Sequence, residues 1–182
     1  MSKLTPEQAM YQFISGYTAK AAGTEVGVTE PTPNFSACYG AAFLSLHPTV
    51  YAELLAEKIR KHDVDVWLVN TGWTGGSHGE GSRFELKYTR AIIDAILGGH
   101  LRDAEYRHDQ VFGLAMPSEV PGVPSAVLDP RSTWTDPDAY DATAQKLASM
   151  FVKNFEQYAD QASPEVLQAA PDPSGASGSH VT

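Results

Sequence analysis

Apolar residues near the N-terminus recur at the spacing that predicts an amphipathic helix. Thr5 is a suitable N-cap, Pro6 suits the first helical position and Gln8 completes a capping box. The apolar face that follows consists of Met10, Phe13, Ile14, Tyr17 and Ala21. We therefore expect a helix that packs on a core through this face. Because the cap lies so close to Met1, we expect no element before it.

Three further helices are predicted from the same kind of spacing. Each begins at a residue that suits a helix start, and its end is marked by basic residues, by glycine or by the loss of the period. The first follows Pro48 and has an apolar stripe of Val50, Leu54, Leu55 and Ile59. The second begins at Thr89 and ends in a left-handed cap at Gly98 and Gly99. The third runs from Asp136 to about Ala159.

Two short apolar runs predict strands. Residues 66–69 are interpreted as a buried strand, and residues 112–116 as a second strand. The first run is followed by a segment with five glycines among residues 72–81, and then by the helix at Thr89. Strand, glycine-rich loop and helix in this order allow the backbone to approach a ligand closely. A plain glycine-rich turn has the same pattern, and the motif alone leaves both interpretations open.

Three segments lack a regular period. Residues 23–33 contain two glycines, two prolines and three threonines, which argues against helix or central strand and predicts a loop that is either functional or a surface connector. Residues 129–134 are a second predicted loop. Residues 161–182 are rich in Ser, Pro, Gly and Ala, which predicts a disordered tail. The expected organisation is one domain over residues 1–160 followed by this tail.

Composition narrows the class of protein. Of the 182 residues 42% are hydrophobic, which is enough for a core. The formal net charge is -9 and the basic residues are scattered, which excludes a broad nucleic-acid surface but leaves room for a local anion site. No apolar run approaches the roughly 18 residues of a membrane span, and no signal peptide is evident. The lone Cys38 fits a reducing compartment. From these features together we expect a cytoplasmic protein without nucleic-acid or membrane partners.

Standard catalytic motifs are missing from the chain. It has no G-x-x-x-x-G-K-[ST] phosphate loop, no CxxC pair, no HExxH and no G-x-S-x-G elbow. Acidic and histidine residues between His100 and Asp109 could ligate a metal, but they share no regular face and are interpreted as a solvated charged stretch. Arg83 and Thr89 could stack on and hydrogen-bond to an aromatic base. A surface Arg and a helix-start Thr are the simpler interpretation of the same two residues.

Several long segments, in one order along the chain, carry a family resemblance. They are residues 15–20, 29–33, 35–43, 68–73, 89–97, 121–123 and 128–131. Together they resemble the C-terminal part of ATP-dependent phosphoenolpyruvate carboxykinase, from Ser2 to about Tyr158, whereas residues beyond Ala162 show no such resemblance. The resemblance implies an α/β fold with a mixed sheet and flanking helices, which forms part of the nucleotide-binding, C-terminal domain of that family.

The resemblance also implies an activity. The family decarboxylates oxaloacetate and phosphorylates the enolate with ATP, giving phosphoenolpyruvate, CO2 and ADP in gluconeogenesis, and it uses Mg2+ together with a second divalent ion, usually Mn2+. Its phosphate loop, metal ligands and oxaloacetate-binding Arg lie upstream of the matching part. No catalytic or metal-binding residue is therefore expected in this chain, and the isolated chain is expected to be inactive. The missing N-terminal part is an expected partner. The alternative is a non-catalytic truncated product that binds at most a nucleotide or a partner.

Site residues follow from the resemblance. Arg83 and Phe84 match the Arg–aliphatic pair that the family places on the adenine, with Phe84 where many members carry Ile or Met. Thr89 matches a nucleotide-contacting Thr. The loop at residues 23–33 resembles a mobile lid, which would exclude water from the labile enolate. Val26 stands where family lids commonly carry Arg. The lid residues singled out are Gly23, Thr24, Glu25, Gly27, Thr29 and Pro33.

Overall fold

The computed structural model describes residues 1–20, 32–70, 72–76 and 79–175. Helices and strands alternate irregularly along this part of the chain. The strands are β1 Ser2–Leu4, β2 Tyr17–Lys20, β3 Thr32–Phe35, β4 Val66–Leu68, β5 Trp73–Thr74, β6 Ser82–Arg83, β7 Tyr106–His108 and β8 Ala115–Pro117. The helices are α1 Pro6–Ser15, α2 Pro48–His62, α3 Leu86–Leu97, α4 Pro130–Thr133, α5 Pro137–Phe155 and α6 Pro164–Gln168.

Four strands form the main sheet in the order β4-β1-β8-β7. Lys3 of β1 pairs with Trp67 on one side and with Ala115 on the other. The combination of strands with flanking helices is as predicted, but every strand pair among the described residues is antiparallel, so the expected mixed sheet is not seen there. The expectation that nothing precedes the first helix is wrong, because β1 occupies the middle of the sheet.

The strand predicted at residues 66–69 exists as β4, but it lies at the edge of the sheet and is half-buried rather than buried. Successive side chains of a strand point to opposite faces. Val66 and Leu68 accordingly pack towards α2, in a cluster with Leu4, Ile59 and Leu114. Trp67 and Val69 pack in a second cluster on α3, with Ile92, Leu101 and Val120. The run is apolar throughout because helices cover both faces of this strand.

The largest core cluster joins α1, α2, α5 and α6. The rings of Tyr11 and Phe155 stack at 4.2 Å with an interplanar angle of 10°. The capping box of Thr5 and Gln8 is present, as predicted. The helix stops at Gly16, whose φ of 55° is left-handed, so the predicted apolar face is interrupted and Tyr17 belongs to β2. The other buried members of this cluster are Met10, Ile14, Ala52, Ala56, Phe151 and Val166.

The helix predicted after Pro48 is α2, but only part of its predicted apolar stripe is buried. Its buried face carries Thr49, Ala52, Ala56 and Ile59, whereas Val50 and Leu54 are exposed.

The predicted cap of α5 at Asp136 is confirmed, because its side chain accepts hydrogen bonds from the amides of Asp138 and Ala139. Helix α3 starts at Leu86, three residues before the predicted Thr89, and the left-handed residue at its end is Gly99, with a φ of 70°. Residues 129–134, predicted as a loop, contain α4.

The prediction of a disordered tail is wrong for residues 161–175. Ser163 caps α6 through a hydrogen bond from the amide of Val166. The Val166 side chain is 1% exposed, and Pro171 is also buried. The amide of Asp172 donates to the carbonyl of Val111 at 2.7 Å. A few apolar side chains thus anchor a segment whose average composition is polar, and residues 176–182 lie outside the described part. No helix in the described ranges is long and apolar enough to cross a membrane.

Candidate functional site

The glycine-rich segment between β4 and α3 contains a small hairpin. Trp73 pairs with Arg83, and Thr74 pairs with Ser82. Gly75 follows β5 with a φ of 77°, a left-handed conformation that favours glycine. The segment predicted as a loop is therefore in part a two-stranded ribbon. Residues 71, 77 and 78 lie outside the described residues.

Arg83 and Phe84 stand where the ribbon leads into α3. Arg83 is exposed and is engaged by no ion pair within the described residues. Phe84 is half-buried in the cluster beneath α3, and its ring lies 6.0 Å from that of Tyr88 in a T-shaped arrangement. Its amide also donates to the carbonyl of Gly72 at 3.0 Å. The ribbon exit is thus anchored by Phe84 while it presents Arg83 to solvent.

Thr89 lies in the first turn of α3, where its amide donates to the carbonyl of Glu85 at 3.2 Å. The ribbon exit and the first turn of α3 form one corner of the molecule, and the predicted residues Arg83, Phe84 and Thr89 lie along it. Lys87 is exposed at the same helix start and pairs with Glu85 at 2.7 Å. The hydrogen bonds to Glu85 and Tyr88 raise the pKa of Lys87, which keeps this ammonium charged.

One residue at this corner was not predicted from the sequence. The hydroxyl of Thr133, in α4, accepts hydrogen bonds from the Gly75 amide and from the Thr74 hydroxyl, both at 3.2 Å. It donates to the carbonyl of Pro130 at 2.7 Å. Thr133 follows the resembling segment 128–131 in the chain, which is the only signal that pointed near it.

Most predicted lid residues lie outside the described part of the chain. These are Gly23, Thr24, Glu25, Gly27 and Thr29, together with Val26. Pro33 is described and lies in β3 opposite Ala19, so the predicted loop at residues 23–33 includes strand at its end. Proline suits this two-stranded ribbon because it is not a central strand. Tyr17 and Phe35 fix the base of the ribbon by packing on Phe151, at 5.2 and 5.1 Å between ring centroids.

Two cavities lie away from this corner. One of about 530 Å³ is lined by Lys3, Asp65 and neighbours of β1, and one of about 490 Å³ is lined by residues of β7, α4 and α5. Neither includes Arg83, Phe84 or Thr89, so these three residues do not line either cavity.

The predicted irregular stretch at residues 100–109 contains β7, which corrects that prediction. The described ranges contain no group of three or more His, Cys, Asp or Glu that could hold a metal ion.

Comparison with known proteins decides the family. A family model described as phosphoenolpyruvate carboxykinase matches residues 1–126 of the 182. The chain belongs to this carboxykinase family. The family resemblance inferred from the sequence is thereby confirmed.

Related carboxykinases match nearly the whole chain. One from Flavobacterium johnsoniae, named phosphoenolpyruvate carboxykinase (ATP), is 59% identical over 171 residues, which is 94% of this chain and 32% of the relative. One of the same name from Rhodopseudomonas palustris is 58% identical over 172 residues, again 94% and 32%. A third, phosphoenolpyruvate carboxykinase (ATP) 2 from Salinibacter ruber, is 60% identical over 171 residues, with the same coverage.

These carboxykinase matches have two consequences. The chain spans about a third of the length of the curated relatives, as expected for a part of the enzyme. A match over 171 of 182 residues necessarily includes positions beyond Ala162. The expectation that this last part has no family resemblance is therefore wrong, in agreement with its ordered packing.

Proposed function

We propose that this chain supplies the adenine-binding part of an ATP-dependent phosphoenolpyruvate carboxykinase. The whole protein would convert oxaloacetate and ATP to phosphoenolpyruvate, CO2 and ADP, with divalent ions such as Mg2+ and Mn2+ and in the cytoplasm. The observation that carries the proposal is the corner between the ribbon exit and the first turn of α3, along which lie an exposed Arg83, an anchored Phe84 and the helix-start Thr89. Each of the three has a separate task in holding a purine.

Arg83 supplies the flat cationic surface. A guanidinium stacks on an aromatic ring through cation–π and dispersion contact. Among the described residues no carboxylate pairs with Arg83 and competes for it. Phe84 supplies an apolar edge that excludes water from one side of the base. The Thr89 hydroxyl can donate to a ring nitrogen or accept from an amino group, which orients the base. ATP, when bound, supplies the phosphoryl group, and the residues for its phosphates are expected outside this chain.

The described residues do not fit a divalent metal, because they contain no cluster of suitable ligands. We therefore assign no metal-dependent step to this chain. The metal ligands belong to the proposed remainder of the enzyme, as the length of the relatives supports. The alternative that also fits these observations is a non-catalytic, truncated product that binds a nucleotide. Activity measurements distinguish this alternative from the proposed enzyme.

An apolar stripe on α3 supports the remainder of the polypeptide as the partner. Leu86, Ile93 and Leu97 are 62%, 39% and 81% exposed. They lie seven and four residues apart and share one side of the helix, roughly opposite the buried Ile92 and Ala95. A helix that is apolar on both sides is typical of one buried on both sides. The outer edge of β4, which pairs with no further strand among the described residues, has the same explanation.

We also propose that residues 23–33 form the lid of the enzyme. The family resemblance supports this, and so does the fixed β2–β3 ribbon that brackets the loop. Tyr17 and Phe35 both pack on Phe151, which fixes the ribbon at the two described ends of this segment.

The adenine site can be tested on the chain by NMR titration with adenosine, which carries the base without phosphates. Shifts at the amides of residues 72–76 and 83–89 are expected. Arg83→Ala should weaken adenosine binding by about fivefold or more, through loss of the cation–π contact. Arg102→Ala, which removes an exposed guanidinium beyond the C-terminal end of α3, is the matched control and should leave binding unchanged. Shifts confined to other regions would contradict the proposal.

The activity proposal needs the rest of the enzyme. A coupled assay for phosphoenolpyruvate should detect no turnover by the chain alone. Adding the Flavobacterium johnsoniae polypeptide without its matching third should restore turnover, and Leu97→Glu in this chain should reduce that recovery by placing a charge in the interface. Turnover by the chain alone would refute the proposed division of tasks. A stable complex without turnover would favour the non-catalytic alternative.

A further inference from the structure

Thr133 connects α4 to the ribbon that carries Arg83. Its hydroxyl receives hydrogen bonds from the Gly75 amide and the Thr74 hydroxyl and donates to the Pro130 carbonyl. A hydroxyl has one donor and two acceptor lone pairs, so all of its hydrogen-bonding capacity is used. Thr74 pairs directly with Ser82, the residue before Arg83. The Thr133 hydroxyl is therefore linked to Arg83 through Thr74 and the strand pair that Thr74 forms with Ser82.

The contact is also tight in its packing. A Cβ atom on Gly75 would lie 3.1 Å from the carbonyl oxygen of Thr133, so only glycine lets the ribbon approach α4 this closely without a shift. The φ of Gly75 adds a second reason for glycine at this position. Hydrogen bonds and close approach together set the distance between the ribbon and α4.

Helix α4 is in turn fixed to the long helix α5. Arg131 donates to both carboxylate oxygens of Asp141, from Nε at 2.8 Å and from a terminal nitrogen at 2.9 Å. This two-bond geometry defines orientation as well as distance. The hydroxyl of the neighbouring Ser132 points elsewhere, to the carbonyl of Asp129 at 3.0 Å. Within α4, the hydroxyl that reaches the ribbon is thus that of Thr133.

We propose that Thr133 is a positioning residue for adenine recognition. It holds the β5–β6 ribbon at the distance from α4 that places the Arg83 guanidinium over the base. The inference rests on the proposed function. Thr133 itself need not touch the nucleotide: it acts through Thr74, Gly75 and the strand pair. Loss of its hydroxyl leaves the part-buried amide of Gly75 without its acceptor and lets the ribbon move away from α4.

Three single variants test this role. Thr133→Val keeps the shape and removes the hydroxyl, and should weaken adenosine binding by about fivefold, the equivalent of about 1 kcal/mol. Thr133→Ser keeps the hydroxyl and should bind as the wild type does. Ser132→Ala removes the adjacent hydroxyl of the same helix and is the matched control. The Gly75 amide should exchange its hydrogen faster in Thr133→Val only, with the amides of α5 unchanged.

A double-mutant cycle separates positioning from a general loss of stability. If Thr133 acts through Arg83, Thr133→Val should have no further effect on adenosine binding in the Arg83→Ala background. Additive effects, or wild-type binding by Thr133→Val, would overturn the inference and leave the proposed adenine site standing. If the wild-type chain gave no adenosine-dependent shifts at Arg83, the proposed site and this inference would both fail.

Discussion

The amide of Ser36 donates a hydrogen bond of 3.1 Å to the carbonyl of Gly16, and a Cβ atom on Gly16 would lie 1.8 Å from the Ser36 carbonyl oxygen. The end of α1 therefore touches the end of β3 backbone to backbone. We predict that Gly16→Ala lowers the free energy of unfolding by about 3 kcal/mol, since the overlap adds to the cost of a left-handed alanine. Denaturant unfolding followed by circular dichroism measures this loss.

Gly113→Ala is the control for that variant. Gly113 has a similar φ of 62°, but a Cβ atom there would meet nothing within 4 Å. It should cost only the conformational term, about 1–2 kcal/mol. Equal losses for the two variants would mean that the contact with Ser36 contributes nothing.

Tyr11 carries a hydroxyl that is buried without a hydrogen-bond partner among the described residues, although its ring stacks on Phe155. We predict that Tyr11→Phe raises the free energy of unfolding by about 1 kcal/mol, because it keeps the stacking and removes an unsatisfied polar group. Tyr158→Phe, in a ring that also packs on Phe155 but is only half-buried, should change it by less than about 0.5 kcal/mol. A loss of stability in Tyr11→Phe would show that the hydroxyl has a partner.

Alkaline pH should destabilise the wild type through the same residue. Burial raises the pKa of Tyr11 above its ordinary value, so the folded state keeps a proton that the unfolded state releases near pH 10. The resulting stability is fully present below about pH 10 and is lost as the pH rises towards the folded pKa. Between about pH 9 and 11, Tyr11→Phe should therefore lose less stability than the wild type in parallel unfolding titrations.

Val166 anchors the last ordered segment in the core. The side chain is 1% exposed, whereas that of the adjacent Leu167 is 39% exposed. Val166→Ala should lower the free energy of unfolding by about 2 kcal/mol, from lost burial and a residual cavity. Leu167→Ala should lower it by about 0.5 kcal/mol. Thermal unfolding compares the two, and the reverse order would mean that α6 does not dock as described.

The ion pair of Arg131 and Asp141 should make stability depend on acid pH. The hydrogen bond from Arg131 lowers the pKa of Asp141, so its contribution is present above the unfolded value, near pH 3.9, and is lost as the pH falls through the lowered folded value. Asp141→Asn should be less stable than the wild type at pH 7 and equal to it at strongly acid pH. About 1 M salt should reduce the difference at pH 7, because both side chains are solvent-exposed. A difference that persisted in acid would contradict the assignment.

Local signals explain what could be predicted of the fold. The starts of α1 and α5 depend on hydrogen bonds within three residues of Thr5 and Asp136, and the sequence displays them directly. β1 was missed because it has three residues and its partners lie far along the chain, at Trp67 and Ala115. Composition failed for the last segment because the buried Val166 and Pro171 anchor it despite its many polar residues.

In the candidate site, too, residues near one another in sequence could be predicted and a long-range contact could not. Arg83, Phe84 and Thr89 were predicted from the family resemblance, and they lie close together in the sequence. Thr133 was not predicted, because its partner Gly75 is 58 residues away and a lone hydroxyl has no characteristic spacing. Only the fold reveals such a contact.

The position of β1 between β4 and β8 has a consequence for synthesis on the ribosome. Residues 2–4 are synthesised long before β8, the neighbouring strand that ends at Pro117. The sheet cannot close until that strand has left the exit tunnel, and until then β1 has an unpaired side that other chains can join. Slowing translation before residue 117 should therefore prolong the interval in which this protein depends on chaperones.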